Sequence, residues 1–310
     1  MSASIWNPNG GTAVPGYFVS VKDFPYLAKG DGSTDDTAAI QAAMDAVRGA
    51  GGGRLYLPKG TYIINKALRL GSKTLFFGDG AAVSILKASQ TAYVGVNGAT
   101  YALQTCQMLQ NYNFAATALT DTNLQVEDIG FDWGSVTIVG GGAHSISFRY
   151  VDTVHISKVA ATGGENVTAL LACKDTYTLY CEGRNQKNCY FDHWDAAGDA
   201  FVIGCVGRTN VDIAQGIQFT GTGSFSEPRN SINCVSAFNR IYNVKSAGLS
   251  SSGIIANANQ AASSVLRFLS IGNHVEDCDL GIVFQGAIGQ HQSLFDTGGA
   301  DGGCRDSGVS

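Results

Sequence analysis

The chain has 310 residues, enough for one large domain or two of ordinary size. Hydrophobic residues make up 45% of it and charged residues 15%, and the net charge of −5 comes with no basic run. This charge balance argues against a nucleic-acid partner and against binding to an anionic membrane surface. No stretch approaches the ~20 apolar residues of a membrane span. Glycine is frequent, at 40 residues, and proline rare, at 5, which favours many tight turns and few helices.

Residues 1–18 are predicted to form a tail or linker. They show neither the basic nor the apolar segment of a signal peptide, so none is expected. One domain is predicted over residues 19–292, followed by an irregular C-terminal tail over residues 293–310. This tail has no strand pattern and offers no cap for the domain, as expected of a truncated chain or of an end that is buried in an oligomer.

The segment from Gly30 to Tyr62 predicts one helix followed by short strands. Ser33 is expected to cap the helix as part of a capping box with Asp36, and Asp35 and Asp36 are expected in its first turn, where the helix dipole favours carboxylates. An apolar stripe follows at Ile40, Ala43, Met44 and Val47. The strands "RLYLP" and "TYII" come after a turn at "AGGG". Each carboxylate here has a structural task, so the segment is interpreted as scaffold and not as an active site.

The longer pattern "VKDF…GDGSTDDTAAIQAAMDAV…GGGRLYLPKGTYII", over roughly Val19 to Ala88, resembles the N-terminal module of the pectate-lyase-like superfamily, most closely that of bacteriophage tailspike depolymerases. Polygalacturonase-like hydrolases and alginate epimerases and lyases belong to the same superfamily. The resemblance implies an all-β fold, a single-stranded right-handed parallel β-helix with a short N-terminal capping helix. It implies no single reaction, because in this superfamily the module builds the first rung and its covering helix.

The rest of the chain repeats with a period that suits a solenoid. Apolar-alternating runs that end in Gly, Asn or Asp recur after about Asn123, with spacings of 25, 25 and 24 residues between Ile129, Val154, Leu179 and Ile203. Strands with such a period predict a β-solenoid of about seven coils between residues 123 and 286. A β-sandwich is the alternative, but it would show Asn-Gly hairpin turns among the repeats. Residues 97–122 depart from the pattern and are predicted to be an insertion over the solenoid.

The eight cysteines are predicted to be buried free thiols, because they form no C-x-x-C pair and no zinc spacing and lie inside apolar strands. Their even number leaves a disulfide framework as the alternative. No metal site is predicted. His144, His155, His274 and His291 are isolated in the sequence and are interpreted as ordinary residues of the coils.

The candidate site is the run "CYFDHWD" at residues 189–195, together with the coil before it. If strand alternation points Cys189, Phe191 and His193 into the solenoid, the residues between them face solvent. A carboxylate between two exposed rings suits a sugar-binding cleft, in which rings stack on sugar faces and an acid or base acts on the linkage. The residues predicted to face outward here and one coil earlier are Tyr180, Glu182, Tyr190, Asp192 and Trp194.

Four carboxylates are predicted to be catalytic, with Asp192 and Asp195 as the acid–base pair and Glu182 or Asp199 as the substitute. Substrate binding is predicted for Tyr180, Tyr190, Trp194, Arg184 and Arg208. Glycosidases place two carboxyls about 5–5.5 Å apart to retain configuration and about 6.5–9.5 Å apart to invert it, and spacings within and between strands allow either. Two alternatives stay open: the aspartates cap turns, or a register shifted by one residue puts Tyr190 and Trp194 in the core.

Three functions remain compatible with the sequence. The first is a tailspike-type glycoside hydrolase that cleaves a bacterial surface polysaccharide without a cofactor, as a homotrimer in a virion tail if phage-encoded. Otherwise the protein is expected in the cytoplasm, or exported without a visible signal peptide. The second is a polysaccharide lyase that acts on a uronate polymer with a Lys, Arg or Tyr base, and with calcium as the cofactor it could require. The third is a structural or adhesive β-helix whose carboxylates only cap turns. The G-H-G and R-x-K motifs of polygalacturonases and the D-P-H-E motif of alginate epimerases are absent.

Overall fold

The structure, a computed structural model, describes residues 16–89, 106–135, 142–209, 213–221, 231–245, 251–258, 265–285, 288–294, 296–298 and 305–307. In these residues the chain winds into a solenoid of parallel strands with one helix. Each strand pairs in parallel with its equivalents one coil before and one coil after. The predicted all-β fold, a right-handed parallel β-helix with an N-terminal helix, is confirmed.

The elements, in chain order, are β1 (Phe18–Ser20), β2 (Asp31–Asp35), α1 (Thr37–Gly49), β3 (Gly53–Leu57), β4 (Gly60–Ile64), β5 (Leu68–Leu70), β6 (Thr74–Gly78), β7 (Ser84–Ala88), β8 (Cys106–Asn111), β9 (Asp121–Glu127), β10 (Gly130–Asp132), β11 (Ala143–Arg149), β12 (Val151–Ser157), β13 (Ala160–Thr162), β14 (Asn166–Leu171), β15 (Lys174–Leu179), β16 (Glu182–Arg184), β17 (Cys189–Trp194), β18 (Ala200–Ile203), β19 (Val206–Arg208), β20 (Gln215–Gly221), β21 (Cys234–Ala237), β22 (Arg240–Tyr242), β23 (Ser252–Ala258), β24 (Val265–Ile271), β25 (His274–Glu276), β26 (Leu280–Gln285), β27 (Ile288–Leu294), β28 (Thr297–Gly298) and β29 (Arg305–Ser307).

Three sheets form the sides of the solenoid. Sheet A has the order β1-β3-β6-β9-β12-β15-β18-β21-β24-β27, and sheet B has the order β2-β4-β7-β10-β13-β16-β19-β22-β25-β28. Sheet C has the order β5-β8-β11-β14-β17-β20-β23-β26-β29. The chain passes from A to B to C in each coil, so equivalent side chains form rows that run along the solenoid.

The start of α1 differs from the prediction. Ser33 lies exposed in β2, and the helix begins at Thr37 with Asp36 as a cap residue that makes no side-chain capping bond. The Asp36 carboxylate, only 2% exposed, instead accepts hydrogen bonds from the backbone N–H groups of Lys29 (2.6 Å) and Gly30 (2.9 Å). Asp35 accepts from the N–H of Thr37 at 3.0 Å. Both carboxylates therefore have structural tasks, although not the predicted capping box.

The apolar stripe of α1 covers the first coils, because Ile40, Ala43, Met44 and Val47 are buried. Among the described residues, β5, the first strand of sheet C, pairs with β8 on one edge and has no strand beside its other edge. There the Gln41 side chain takes the place of a neighbouring strand. Its Oε1 accepts from the Arg69 N–H at 2.9 Å, and its Nε2 donates to the Arg69 carbonyl at 3.3 Å. The helix is thus tied to sheet C by an amide pair as well as by apolar packing.

The turn from sheet A to sheet B uses one residue in the left-handed conformation. Tyr180 and Phe238 adopt φ values near 55°, and each N–H donates to a carbonyl of the next coil at 2.9 Å, that of Ile203 or Ile271. Their rings lie over Gly204 and Gly272 of that next coil, where a Cβ would come within 2.6 and 2.8 Å of ring carbons. These glycines are required both by the left-handed backbone and by the close approach of the rings.

The repeat is less regular than the sequence spacing indicates. Six coils, and not about seven, lie between residues 121 and 285, because some connections between the sheets are long. Leu179 pairs with Ile203, but Ile203 pairs with Ala237, 34 residues later. Val154 pairs with Thr176 and not with Leu179. An equal spacing of apolar residues therefore did not always mark equivalent positions.

Two further predictions are corrected by the strands. Of the predicted insertion, residues 106–111 form β8 of sheet C and residues 121–122 begin β9, so these parts belong to the solenoid. Residues 112–120 connect the two strands, and residues 97–105 lie outside the described residues. The predicted irregular tail carries the end of β27 and strands β28 and β29. The division into tail, domain and tail otherwise stays a prediction.

The cysteine prediction is confirmed for the described side chains, which are buried and free at Cys173, Cys181, Cys189, Cys205, Cys234 and Cys278. The side chain of Cys106 and the whole of Cys304 lie outside the described residues. In the described part of the chain, no helix is long and apolar enough to cross a membrane.

Candidate functional site

The alternation of side chains breaks within β17. Tyr190 and Phe191 are both fully buried members of the core, so two consecutive residues face inward. Tyr190 packs across Gly183 and Gly207 of sheet B, where a Cβ would meet its ring carbons Cδ1 and Cδ2. The prediction that Tyr190 faces outward to bind substrate is therefore wrong, because the ring fills the space left by two glycines.

Phe191 and His193 face inward, as predicted. The Nδ1 of His193 lies 3.1 Å from the Thr176 hydroxyl of sheet A, and its ring stacks on Phe219 at a centroid distance of 5.3 Å. Asp192, between them, consequently points to the outer side of sheet C. Its orientation agrees with the prediction, but its exposure does not, since only 3% of its surface is accessible.

Asp192 is a neutral carboxyl at neutral pH. Burial raises its pKa to about 8, and the Trp194 indole and the Asn166 amide oppose this shift only in part. Asn166 Nδ2 donates to Oδ2 at 3.2 Å, while Oδ1 has no hydrogen-bond partner. The Trp194 Nε1 is near enough to affect the carboxyl without the geometry of a hydrogen bond. Asp192 therefore has a proton to donate.

His144 lies two coils before this carboxyl and is linked to it through Asn166, which is its register partner and also donates to Asp192. Burial lowers the pKa of His144 to about 4, and a hydrogen bond with the Asn166 side chain offsets this only partly. Its Nδ1 has no hydrogen-bond partner. Asn188 Nδ2 donates to Asn166 Oδ1 at 3.4 Å and so holds the amide between the two titratable groups. We call His144, Asn166, Asn188, Asp192 and Trp194 the Asp192 cluster.

Asp192 lies on a row of outward residues along sheet C. The row runs through the register partners Arg69, Gln110, Ser147, Ala169, Asp192 and Gln218. Asp192 is the only acidic residue in strands β5 to β26 of this sheet. A buried cation, Arg149, lies at the end of β11 with its guanidinium 5.0 Å from the ring centre of Tyr150. The face therefore combines one neutral carboxyl with several amides and a cation.

The other predicted carboxylates do not join Asp192. Asp195 is fully buried in the turn from sheet C to sheet A, with a left-handed backbone and its N–H bonded to the Thr220 carbonyl at 2.7 Å. Asp199 Oδ1 accepts from Asn233 Nδ2 at 2.6 Å in the next coil, as a turn cap does. Glu182 lies on sheet B and pairs with Arg184 at 2.8 Å. Asp195 and Asp199 thus lie in the turn between β17 and β18 and Glu182 lies on sheet B, and the catalytic roles predicted for these three carboxylates stay predictions.

The predicted substrate-binding residues are likewise divided between faces. Arg184 and Arg208 are exposed register partners on sheet B, and Arg208 lies 5.0 Å from the ring centre of Tyr242. Tyr180 is 62% exposed at the turn between sheets A and B. Trp194 alone adjoins Asp192, and its ring packs against Tyr150, Leu171 and Ala172. His144 and Asn166 were not among the predicted site residues; their signal was a polar residue near the start of two consecutive strands of sheet C, 22 residues apart.

The Asp192 cluster does not have the composition of a calcium site, which takes several oxygen ligands and favours charged carboxylates. Among the described residues, no three His, Cys, Asp or Glu side chains come together as metal ligands. The prediction about cofactors stays a prediction.

Comparison with known proteins extends these observations. A family model described as "Rhamnogalacturonase A/epimerase, pectate lyase-like" matches residues 18–260. "Alginate lyase 7" of Azotobacter vinelandii is 31% identical over 152 residues, which are 46% of this chain and 17% of that protein. The chain therefore spans less than a fifth of the length of this curated relative.

Two solved structures share the fold. The iota-carrageenase complexed to iota-carrageenan fragments superposes with a TM-score of 0.58 at 12% identity, covering 88% of this chain and 58% of that one. The N-terminal fragment of gene product 12 of bacteriophage phi29 gives a TM-score of 0.55 at 16% identity, covering 88% of this chain and 53% of that one. At these identities the likeness extends to the fold alone.

Proposed function

Since the chain belongs to the rhamnogalacturonase A/epimerase, pectate lyase-like family, we propose that it acts on a polysaccharide at the Asp192 cluster. The observation that carries this proposal is the buried Asp192 carboxyl on the outer side of sheet C, whose pKa burial raises to about 8, with Asn166 and Trp194 beside it. Strongly shifted pKa values cluster at functional sites.

The composition of the cluster favours elimination over hydrolysis. A glycosidase needs a second carboxyl within about 9.5 Å of the first, and the Asp192 cluster itself contains no second acidic residue, although Glu165 directly precedes Asn166. Elimination on a uronate needs a group that neutralises the sugar carboxylate and a base that removes the adjacent proton. A protonated Asp192 suits the first task, and neutral His144, with a free Nδ1, suits the second.

The proposed reaction is β-elimination in a uronate polymer. Asp192 donates a hydrogen bond to the sugar carboxylate, which makes the proton on C5 more acidic. His144 accepts that proton, the C–H electron pair forms the C4–C5 double bond, and the bond from C4 to the glycosidic oxygen breaks. The departing oxygen takes a proton from the imidazolium so formed. No water is consumed, so the two products together have the mass of the substrate. The 31% identity with a protein named alginate lyase supports this choice.

Hydrolysis is the second candidate. A carboxyl with a pKa of about 8 is also suited to act as the general acid of a glycosidase, and Asp195 is the nearest carboxylate in sequence.

The predicted homotrimer and the predicted location in a virion tail also stay proposals. The fold shared with the phi29 gene product supports that location.

The test is product analysis with polymannuronate, polygalacturonate and a neutral glucan, followed by mass spectrometry. Wild-type protein is expected to give unsaturated oligosaccharides from a uronate polymer and nothing from the glucan. Asp192→Asn and His144→Gln are each expected to reduce the rate by about 100-fold or more, the scale of acid–base catalysis. The matched controls are Asp152→Asn on sheet A and His274→Gln on sheet B, both exposed, which should keep the wild-type rate.

Products heavier by one water would replace elimination with hydrolysis. A full rate in Asp192→Asn, or no product from either uronate polymer, would contradict the proposal. Because Asp192 is only 3% exposed, the residues above it must move before the glycan can reach it. A rate limited by such an opening would show itself as a kcat that is the same for all polymer lengths.

A further inference from the structure

A pocket of about 410 Å³ lies where α1 meets the first strands of sheet C. Its volume falls in the range of small-ligand sites. Its described lining consists of Gln41, Asp45, Lys66, Ala67, Arg69, Gln110 and Tyr112. Arg69 and Gln110 begin the row of outward residues that continues through Ser147 and Ala169 to Asp192. Gln110 and Asp192 are three strands apart, or about 14 Å, so one extended chain could occupy both places.

The positive charges of the pocket lack acidic partners. Asp45 is already engaged, since its Oδ1 lies 3.7 Å from Arg48 Nε and accepts from Gln41 Nε2 at 3.3 Å. In the described part of the chain, no carboxylate pairs with Lys66 or Arg69. Two unpaired cations at one pocket of a protein with a net charge of −5 favour an anionic ligand.

Gln110, one of the residues that line this pocket, carries a buried hydrogen-bond acceptor. Gln110 is 2% exposed, and its Oε1 has no hydrogen-bond partner. Leaving a buried acceptor unsatisfied is unfavourable, so a ligand that brings a hydroxyl donor would be stabilised there. The opposite wall is preformed, because Gln41 fixes the backbone of Arg69 through two hydrogen bonds.

We propose that this pocket binds a carboxylate-bearing sugar unit of the glycan. A sugar hydroxyl donates to Gln110 Oε1, and the sugar carboxylate pairs with Arg69 and Lys66. A neutral sugar would satisfy only the first contact. The inference rests on the proposed function, because it assigns the same glycan to the pocket and to the Asp192 cluster. The helix that the sequence indicates as scaffold then also forms one wall of a binding site.

The test uses the full chain with Asp192→Asn, so that the glycan is bound without being cleaved. Calorimetric titration with a mannuronate trisaccharide should show binding, and mannotriose should bind about tenfold more weakly or less, because it lacks the charge-assisted contacts. Adding Arg69→Gln, Lys66→Gln or Gln110→Leu should weaken trisaccharide binding by a similar factor. The matched control is Arg54→Gln, which changes an exposed arginine that lies over Phe77 on sheet A.

Equal affinity for the two trisaccharides, or an unchanged affinity in Arg69→Gln, would overturn the inference. Arg69 is exposed, so this variant stays informative even if Gln110→Leu fails to fold. If wild-type protein forms no product but binding still depends on Arg69, the proposed function fails and the pocket stands. If wild-type protein cleaves the polymer and Arg69→Gln leaves KM unchanged, the pocket assignment fails and the function stands.

Discussion

Burial shifts the pKa values of Asp192 and His144 in opposite directions, and both shifts favour the neutral form. Both residues lie in short strands between turns, so their positions in the sequence do not by themselves indicate burial. Their ionisation is decided by the face of sheet C on which they meet. The same two residue types, if placed on exposed sheet B, would carry their usual charges at neutral pH.

The pH dependence of the reaction follows from these two groups. We expect kcat/KM on a uronate polymer to rise as His144 loses its proton near pH 4 and to fall as Asp192 ionises near pH 8. Initial rates measured across this range, at constant ionic strength, provide the check. A rate that keeps increasing well beyond pH 8 would contradict a requirement for the protonated Asp192.

Asp192→Asn should also change stability in a pH-dependent way. Below its ordinary value of 3.8, Asp192 is protonated in both the folded and the unfolded chain. As the pH rises towards about 8, only the unfolded chain ionises, so wild-type stability is lost progressively and Asp192→Asn avoids this loss. Relative to wild type, we expect the variant to gain at least ~1.4 kcal/mol between pH 4 and pH 8, the value of one pKa unit.

Urea unfolding at the two pH values measures this difference. Asp152→Asn, which changes a carboxylate with 43% of its side chain exposed, is the control and should show no comparable gain. An identical pH dependence in wild type and Asp192→Asn would mean that Asp192 is ionised in the folded protein at neutral pH.

At the scale of single elements, β17 shows why the fold was easier to predict than the site. The run of apolar residues and glycines was enough to identify strands, because any register of these residues buries apolar surface. The site depends on which side chains face out, and the inward pair Tyr190–Phe191 breaks the alternation on which that prediction rested. The space for Tyr190 is created by Gly183 and Gly207 on other strands, so β17 alone could not indicate it.

The packing of Tyr190 predicts a specific sensitivity to a methyl group. Gly207→Ala would place a Cβ against the Tyr190 ring and should destabilise the protein by about 1–3 kcal/mol. Gly16→Ala is the control, because nothing lies within 4 Å of its added Cβ. Denaturant unfolding gives both values. The cost of Gly207→Ala should shrink in a Tyr190→Leu background, and an undiminished cost there would show that the ring is not the obstacle.

For the molecule as a whole, the sequence was informative about architecture and weak about the length of each coil. The N-terminal module and the glycine-rich turns carry local signals, so they predicted the β-helix. The meeting of His144, Asn166 and Asp192 depends on pairings across coils of different length, as the 34-residue step from Ile203 to Ala237 illustrates. A constant period could not place such residues side by side.

The interior also determines how the thiols behave. Burial raises the pKa of Cys278 to about 11 and that of Cys173 to about 12, and it raises the pKa values of Cys189, Cys205 and Cys234 as well. Of the eight cysteines, six are buried and free, so no more than two should react with a thiol reagent in the folded protein at neutral pH. All eight should react in denaturant without a reducing agent, and fewer would reveal a disulfide.

The amide pair between Gln41 and Arg69 has a consequence for association between copies of the chain. The first strand of a sheet in a solenoid exposes main-chain donors and acceptors that could template a strand from another molecule. Gln41 offers one acceptor and one donor at the place where such a strand would pair with β5. At this end of sheet C, a single side chain therefore blocks the end-to-end stacking by which open β-helices could grow into fibres.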